Sequence, residues 1–303
     1  MATKKILIVH YSQSGQLTEI VENFSQGFSA NDVSIEKIRV SMLNEFDFPW
    51  TSARFFDAMP ESVLGIPSQL KSFELKETKY DLIVFAYQPW YLSPSIPATS
   101  ILANEKFKKI IANTPVLTII GARNMWLNSQ EKVKNHLEEC GAKHVGNIVL
   151  TDQHANLVSA VTILHWMLSG KKDSYLGIFP KPGISDKQIV GMNKFAPIVN
   201  DSLQNGDWEA LQENLVRNDA VEVKTNLMFI EARAGKLFSA WANIIIKKKN
   251  RRFWLILYKY YLLIALFVIA PIVLTVYMLI FKPFLGASIR KRKSYFLGLQ
   301  KNR

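Results

Sequence analysis

The chain has 303 residues, of which 49% are hydrophobic and 20% charged, so it can hold one large domain or two ordinary ones and is not disordered over most of its length. Its one cysteine, Cys140, excludes an internal disulfide framework, a cysteine-rich zinc site and an iron–sulfur cluster held by this chain alone. Residues 1–231 carry 22 Lys and Arg against all 25 Asp and Glu, whereas residues 232–303 carry 15 Lys and Arg and no acidic residue, so the net charge of +12 describes a mildly acidic body with a basic C-terminal region.

Five short apolar segments alternate with stretches of helical spacing. The predicted strands are residues 5–11, 33–40, 81–87, 115–120 and 144–150, and the clearest helices between them are 16–28 and 129–140. This alternation predicts a doubly wound α/β fold with a parallel five-stranded sheet. Because ligands of such sheets bind at the carboxyl ends of the strands, the segments that follow the strands form the candidate site.

The segment after the first strand is a hydroxyl-rich turn that opens a helix. It has neither the G-x-G-x-x-G pattern of dinucleotide-binding proteins nor the G-K-[ST] of a Walker A loop. The N–H groups and dipole of a helix N-terminus suit a phosphate, and since no Lys or Arg occurs in residues 6–36 the donors would be neutral. An ordinary Ser-rich N-cap is the alternative. The candidate phosphate-binding residues are Ser12, Gln13, Ser14, Gly15, Gln16, Leu17 and Thr18.

The third strand is followed by a proline-rich loop, residues 88–97 (QPWYLSPSIP). Proline makes such a backbone rigid and extended, and Trp90 and Tyr91 offer flat faces for a heterocycle. The alternative is a loop that only closes the top of the sheet.

After the fourth strand, Arg123 and Asn124 are candidates to bind the polar edge of a ligand. The alternative here is a solvated loop that precedes a helix capped by Asn128 or Ser129.

On these residues the chain resembles the flavodoxins and the NAD(P)H-dependent FMN reductases. The order strand, S-x-S-G-x-x-T and helix is similar to their FMN-phosphate loop, and residues 88–97 resemble their P-x-Y-x-x-S-x-P loop along the isoalloxazine ring. The likeness covers about residues 1–151. It implies bound FMN and leaves NAD(P)H open as an electron partner. The flavin neighbours implied beyond the phosphate loop are Pro89, Trp90, Tyr91, Leu92, Gly121, Ala122, Arg123, Asn124 and Trp126.

A narrower resemblance rests on residues 11–17, on residues 46–50 (FDFPW) and 55–61 (FFDAMPE), and on the apolar C-terminal segment. These resemble the dialkylresorcinol condensing enzymes, flavoproteins of aryl-polyene and flexirubin-type pigment clusters. The resemblance implies an aromatase that oxidises a lipidic 2,5-dialkylcyclohexane-1,3-dione to a dialkylresorcinol by hydride transfer to flavin. It also implies a ketosynthase and an acyl carrier protein as partners.

The proton acceptor for such a reaction is less clear from the sequence. His154 follows the fifth strand with Asp152 in position to orient it, although a loop histidine without chemical function is the alternative. Tyr91 is the second candidate, and Arg123 would bind a substrate oxygen or a flavin edge. No His, Asp or Glu cluster has the spacing of a metal site, so we expect no metal.

The rest of the chain is predicted to be helical. We divide it into a flavodoxin-like domain, 1–205, with a helical insertion at about 155–185, a helical linker, 206–246, and a membrane anchor with a basic tail, 247–303. Within the anchor, residues 260–281 carry no charge and are long enough to span a bilayer.

Basic clusters at residues 247–252 and 290–293 flank the apolar segment 253–281. A single span would export one of them, so we favour a kinked, re-entrant or in-plane anchor, bent or broken at Pro271, on the cytoplasmic face of the inner membrane. A simple span is the alternative. No cleavable signal is visible at residues 1–5. Because the basic residues bracket an apolar segment, nucleic-acid binding is not expected.

Two other functions remain open at this point. One is a membrane-anchored NAD(P)H-dependent FMN or quinone reductase. The other is a non-enzymatic flavodoxin-like electron carrier or scaffold, although electron carriers of this kind are usually small and acidic. The sequence leaves the oligomeric state open, including a homo-oligomer.

Overall fold

A computed structural model describes residues 3–299 of the chain. Its centre is a five-stranded parallel sheet with the strand order β2-β1-β3-β4-β5. The strands are β1 (Lys4–His10), β2 (Val33–Arg39), β3 (Leu82–Tyr87), β4 (Pro115–Ala122) and β5 (Lys143–Thr151). This order is that of the flavodoxin-like doubly wound fold, with the switch point between β1 and β3. The predicted fold class is confirmed.

Burial explains the sequence pattern of the strands. All six residues of β3, at the middle of the sheet, are buried, whereas in β2, at its edge, only Val33 is buried and the other residues are half-buried or exposed. A central strand of a parallel sheet is covered on both faces and therefore needs a continuous apolar run. The predicted strands agree with the structure within two residues at each end.

Helices pack around this sheet in two groups. α1 contacts α8 and α9, and α11 contacts α3 and α6. The helices of the α/β body and its extension are α1 (Gln16–Gln26), α2 (Ser52–Asp57), α3 (Met59–Leu64), α4 (Ile96–Ala103), α5 (Glu105–Ile111), α6 (Leu127–Glu139), α7 (Asn156–Ser169), α8 (Asp186–Val190), α9 (Phe195–Asn205), α10 (Leu211–Arg217) and α11 (Thr225–Ile246).

The predicted linker, residues 206–246, is part of the packed body over its first half. Leu211 and Leu215 of α10 and Val221 after it lie in the main hydrophobic core, and α10 packs on β5. α11 continues along α3 and α6. The first half of this stretch therefore belongs to the hydrophobic core, because its apolar side chains pack against the last strand.

The start of α6 differs from the sequence prediction. The helix begins at Leu127, so neither Asn128 nor Ser129 is its N-cap. A distant residue takes that role: the buried carboxylate of Glu231 on α11 accepts the backbone N–H of Asn128 at 2.8 Å. A cap supplied from another helix leaves no local sequence signal.

The Glu231 carboxyl should make stability pH-dependent. Burial raises its pKa from 4.5 to about 7, and the backbone N–H groups of Asn128, Leu127 and Trp126 oppose that shift. The folded protein thus keeps a proton that the unfolded chain has lost. The contribution of Glu231 to stability is full below about pH 4.5 and is lost as the pH rises through about 7, at a cost of roughly 3 kcal/mol.

We therefore expect Glu231→Gln, which keeps an acceptor oxygen but cannot ionise, to melt at a higher temperature than the wild type at pH 8. The gain is on the order of 5 °C, and it disappears at pH 4. Thermal unfolding of the full chain at both pH values measures it. Glu222→Gln, at an exposed position, is the matched control. Parallel pH profiles for the wild type and Glu231→Gln would contradict this account.

The C-terminal segment forms one long helix, α12 (Arg251–Phe296). Among the described residues, this helix alone is long and apolar enough to cross a membrane. Only 6% of its most apolar stretch is buried. Pro271 does not break it: a π-helical turn, Ala265–Ile269, precedes the proline and the helix continues as Ala270–Val276. Such a turn lets a helix continue past a proline, which cannot donate a backbone hydrogen bond.

The long helix is attached to the body along its length. Arg251 pairs with Asp57 and Glu61, Tyr258 is fully buried against α3 and α11, and the Tyr295 hydroxyl donates to Glu131 on α6 at 2.6 Å. A 3₁₀ segment, Lys282–Leu285, interrupts it before the last part, Gly286–Phe296, and Leu285 there has the non-helical angles φ −101° and ψ 12°. α12 therefore lies alongside the α/β body, with contacts at both of its ends.

Candidate functional site

A cavity of about 640 Å³ lies at the carboxyl ends of β1, β3 and β4. This volume is within the range of about 300–1,000 Å³ that is usual for small-molecule and cofactor sites, and its place at the switch point is where ligands of this fold bind. Twelve of the residues singled out from the sequence line it: Gln13, Ser14, Gln16, Leu17, Pro89, Trp90, Tyr91, Leu92, Gly121, Ala122, Arg123 and Asn124. The others, Ser12, Gly15, Thr18, Trp126 and His154, lie outside its lining.

The turn after β1 has the backbone that an anion site requires. Gly15 adopts φ +88°, which only glycine takes up without strain, and α1 starts at the next residue. Ser12 Oγ accepts the N–H of Thr18 at 3.3 Å, which holds the turn closed. The N–H groups of Gln16 and Leu17, at the start of α1, have no acceptor within the helix, so they are available to a ligand.

Two amide side chains fix this turn to neighbouring segments. The Gln16 side chain donates to the Ile184 carbonyl at 3.0 Å and accepts the Ile184 N–H at 3.2 Å, and Gln13 donates to the carbonyl of Asp47 at 3.1 Å. The Thr18 hydroxyl is 3.1 Å from His10 Nε2. In this arrangement Gln13, Gln16 and Thr18 shape the loop, whereas the Ser14 hydroxyl makes no hydrogen bond to residues 3–299.

Arg39 is a residue that sequence reasoning missed. Its guanidinium donates to the Ser12 carbonyl at 3.0 Å, so a cation does lie beside the turn, although none is near it in the sequence. Burial and, next, the Arg39 charge lower the pKa of His10 to about 4, so this histidine is neutral at pH 7. The position of Arg39 beside the turn follows from the pairing of β2 with β1, which sets Arg39 opposite His10. This pairing could not be read from the local sequence.

Aromatic side chains form one wall of the cavity. The Trp90 ring lies edge-to-face on Trp50 at a centroid distance of 5.2 Å and on Phe46 at 5.0 Å. Phe55 and Phe56 also line the cavity. The segments 46–50 and 55–61, noted in the sequence only for their resemblance, therefore supply this wall. Two non-glycine residues at the turn of the same loop, Tyr91 and Leu92, have positive φ values of 49° and 59°. Backbone strain of this kind is concentrated at functional sites.

The Tyr91 hydroxyl is engaged. It donates to the carbonyl of Phe55, and burial raises its pKa well above the ordinary value of 10. A phenol that stays protonated and already donates its hydrogen bond is a poor proton acceptor.

Arg123 and Asn124 form the polar side of the cavity with Asn156 on α7. Arg123 donates to the Asn156 carbonyl at 2.9 Å and to its Oδ1 at 3.1 Å, and Asn124 donates to the same Oδ1 at 2.7 Å. Burial lowers the pKa of Arg123 to about 10, so it stays charged at pH 7. Asn124 Oδ1 is buried and has no hydrogen-bond donor in the described chain. A buried acceptor without a donor of its own can accept a hydrogen bond from an N–H group of a ligand.

His154 follows β5 and is held by Asp152. Its Nδ1 is 2.6 Å from Asp152 Oδ1, and the fully buried Asp152 is fixed in turn by Ser159 Oγ at 2.8 Å. The His154 side chain is 39% exposed. Asp152 therefore orients the ring, with Nε2 directed away from the carboxylate. Among residues 3–299 no group of three or more His, Cys, Asp or Glu side chains is placed to hold a metal ion.

The protein has the flavodoxin-like α/β fold, as defined by the strand order, the cavity at the switch point and the turn after β1. No family model matches the chain, and no curated protein matches it. Among solved structures, a flavoprotein in complex with FMN from Lactobacillus acidophilus is similar at 17% identity and a TM-score of 0.40, covering 48% of this chain and 93% of that one.

Two further solved structures are similar. A flavodoxin from the domain Archaea covers 66% of this chain and 99% of its own, at 12% identity and a TM-score of 0.38. A flavoprotein from Bacteroides eggerthii covers 54% and 98%, at 15% identity and a TM-score of 0.37.

Proposed function

We propose that this protein is an FMN-dependent oxidoreductase. The observation that carries the proposal is the polar end of the cavity, where an anion-type turn and the orphaned acceptor of Asn124 lie with the aromatic wall at one switch point. A phosphate group fits the N–H donors at the start of α1, and the N–H edge of a flavin ring fits Asn124 Oδ1. The residues present therefore match the two chemically distinct ends of FMN.

The substrate that we propose is a lipidic 2,5-dialkylcyclohexane-1,3-dione, which the enzyme aromatises to a dialkylresorcinol. Support comes from the resemblance described above and from the wall beyond the polar end, which is almost entirely apolar. Aromatisation removes one hydride and one proton from the ring. Bound FMN would supply the acceptor for the hydride.

The chain's own residues would handle the charge and the proton. Arg123, still protonated at pH 7, would stabilise negative charge that develops on a ring oxygen of the substrate. His154 is the proposed proton acceptor: with its Nδ1–H donated to Asp152, the proton would go to Nε2. Trp90 and Tyr91 would position the flat ring, and the surrounding apolar side chains would exclude water.

The proposal is tested on detergent-purified full-length protein. We expect a flavin absorption spectrum, and FMN as the cofactor released on denaturation. Anaerobic addition of the dialkylcyclohexanedione should then bleach the flavin. Bleaching by NAD(P)H alone would replace the aromatase with a membrane-bound reductase. Colourless protein that cannot be reconstituted with FMN would leave a scaffold as the better account.

We further propose that α12 attaches the protein to the cytoplasmic face of the inner membrane and lies in the plane of the bilayer. The helix has an exposed apolar surface, yet Arg251 near one end and Tyr295 near the other both bind the body. A perpendicular span would carry one of these contacts across about 30 Å of hydrocarbon. An in-plane helix keeps both and leaves both basic clusters facing anionic lipid.

Cysteine labelling distinguishes the two topologies. In a Cys140→Ser background, Lys249→Cys and Arg292→Cys place single thiols in the two basic clusters. With the protein in inverted membrane vesicles, we expect a membrane-impermeant maleimide to label both positions to the same extent. Labelling of one position only, with the second becoming reactive after detergent is added, would show a span and refute the in-plane arrangement.

A further inference from the structure

The cavity extends well beyond its polar end. Beyond the aromatic wall it continues between three helices, α7, α11 and α12, whose lining side chains there are almost all apolar. Examples from each helix are Ile163 and Leu164, Ala234 and Leu237, and Leu266 and Ala270. We call this part the outer arm. A ligand in the outer arm would bury apolar surface against this wall and would make few hydrogen bonds.

The outer arm opens on the exposed apolar face of α12. Leu237, Ile269 and Val273 line it and are nonetheless 51%, 48% and 36% exposed, so they mark its mouth. Phe267 and Val268, next to them on α12, are 37% and 53% exposed. Exposure of this much apolar surface to water is unfavourable, and it is typical of a surface that contacts hydrocarbon.

A second exposed apolar element follows α7, one of the helices of the outer arm. α7 lines the outer arm, and Tyr175, in the loop that follows α7, stacks on His165 of that helix at a centroid distance of 4.1 Å. Leu176 and Ile178 in this loop are 70% and 78% exposed. Lys171 and Lys172 precede them and Lys181 follows. Apolar tips flanked by lysines fit a membrane with anionic headgroups.

We propose that the outer arm is a chain-binding channel that opens sideways into the acyl layer of the leaflet. Its ligand has a planar oxygenated ring, held at the polar end, and an alkyl chain that lies along α11 and α12 and leads into the membrane. The ring position rests on the proposed function, whereas the channel for the chain rests on the outer arm alone. Substrate then enters from the bilayer and product returns to it, without transfer through water.

Substitutions that fill the channel test this directly. Ala270→Trp narrows the outer arm from α12, and Ile163→Trp narrows it from α7. Ile272→Trp is the matched control, since Ile272 is 60% exposed on the same helix and does not line the cavity. The probes are ethyl-, hexyl- and dodecylresorcinol, and the readout is displacement of a pyrene-tailed resorcinol from full-length protein in nanodiscs.

We expect Ala270→Trp and Ile163→Trp to weaken the hexyl and dodecyl probes by about tenfold or more, since two or more buried methylenes contribute about fourfold each. The ethyl probe should change less than twofold, and Ile272→Trp should change none of the three. Because the variants share the same bilayer, partitioning of the chain cancels in the comparison. Equal weakening of all three probes, or no weakening, overturns the channel.

The FMN content of each variant separates this inference from the proposed function. Chain-length-selective weakening in a protein that binds no FMN would leave the channel standing and remove the oxidoreductase. Full FMN occupancy without chain-length selectivity would do the reverse. A resorcinol with a diazirine at its chain end supplies a second readout that needs no flavin: we expect it to label α11 or α12 near Leu237 and Ala270, and labelling confined to other surfaces would contradict the channel.

Discussion

Ser14→Asp should abolish FMN binding at micromolar concentrations. The Ser14 side chain lines the cavity beside the N-terminus of α1, and the substitution would set a carboxylate against the phosphate. Two unit charges about 4 Å apart repel by roughly 4 kcal/mol at the effective dielectric of a protein surface. We therefore expect the Kd for FMN to rise by at least about 100-fold. Titration of the apoprotein followed by flavin fluorescence measures it.

Two controls isolate the effect of charge. Ser14→Ala removes a single hydroxyl donor and should weaken FMN by about fivefold. Ser72→Asp introduces the same carboxylate at an exposed position away from the cavity and should leave the Kd unchanged. If Ser14→Asp binds FMN as tightly as Ser14→Ala, the phosphate does not lie at this turn.

Arg123→Met should lose about 100- to 1,000-fold in kcat/KM for the dione while keeping its FMN. Arg123 is a cation on the polar side of the cavity, and loss of one preformed charge at a developing oxyanion typically costs this much. Methionine has a similar length and removes only the charge and the hydrogen bonds to Asn156. Steady-state rates and the anaerobic rate of flavin bleaching by the dione report the loss.

Arg123→Lys provides the comparison. It retains the positive charge but not the two-point contact with Asn156, so we expect it to recover part of the lost rate. The melting temperatures of both variants show whether the fold is retained. A kcat/KM for Arg123→Met within threefold of the wild type would exclude Arg123 from the reaction.

The sequence by itself determined the sheet and the loops at its carboxyl edge. Buried parallel strands need uninterrupted apolar side chains, so β1, β3 and β4 were visible as runs such as KILIVHY and DLIVFAY. In a doubly wound fold, strand order then fixes which loops meet. Ser14, Trp90 and Arg123 therefore line one cavity although they are far apart in the chain.

Contacts between residues distant in sequence were decided only by the tertiary structure. Arg39 reaches the turn after β1 because β2 pairs with β1, and Glu231 caps α6 because α11 packs across its start. The outer arm exists because α11 and α12 fold back along the body and enclose the space beside α7. Hydrophobic periodicity reports that a side chain is buried but carries no record of what buries it, so these partners could be found only in the folded chain.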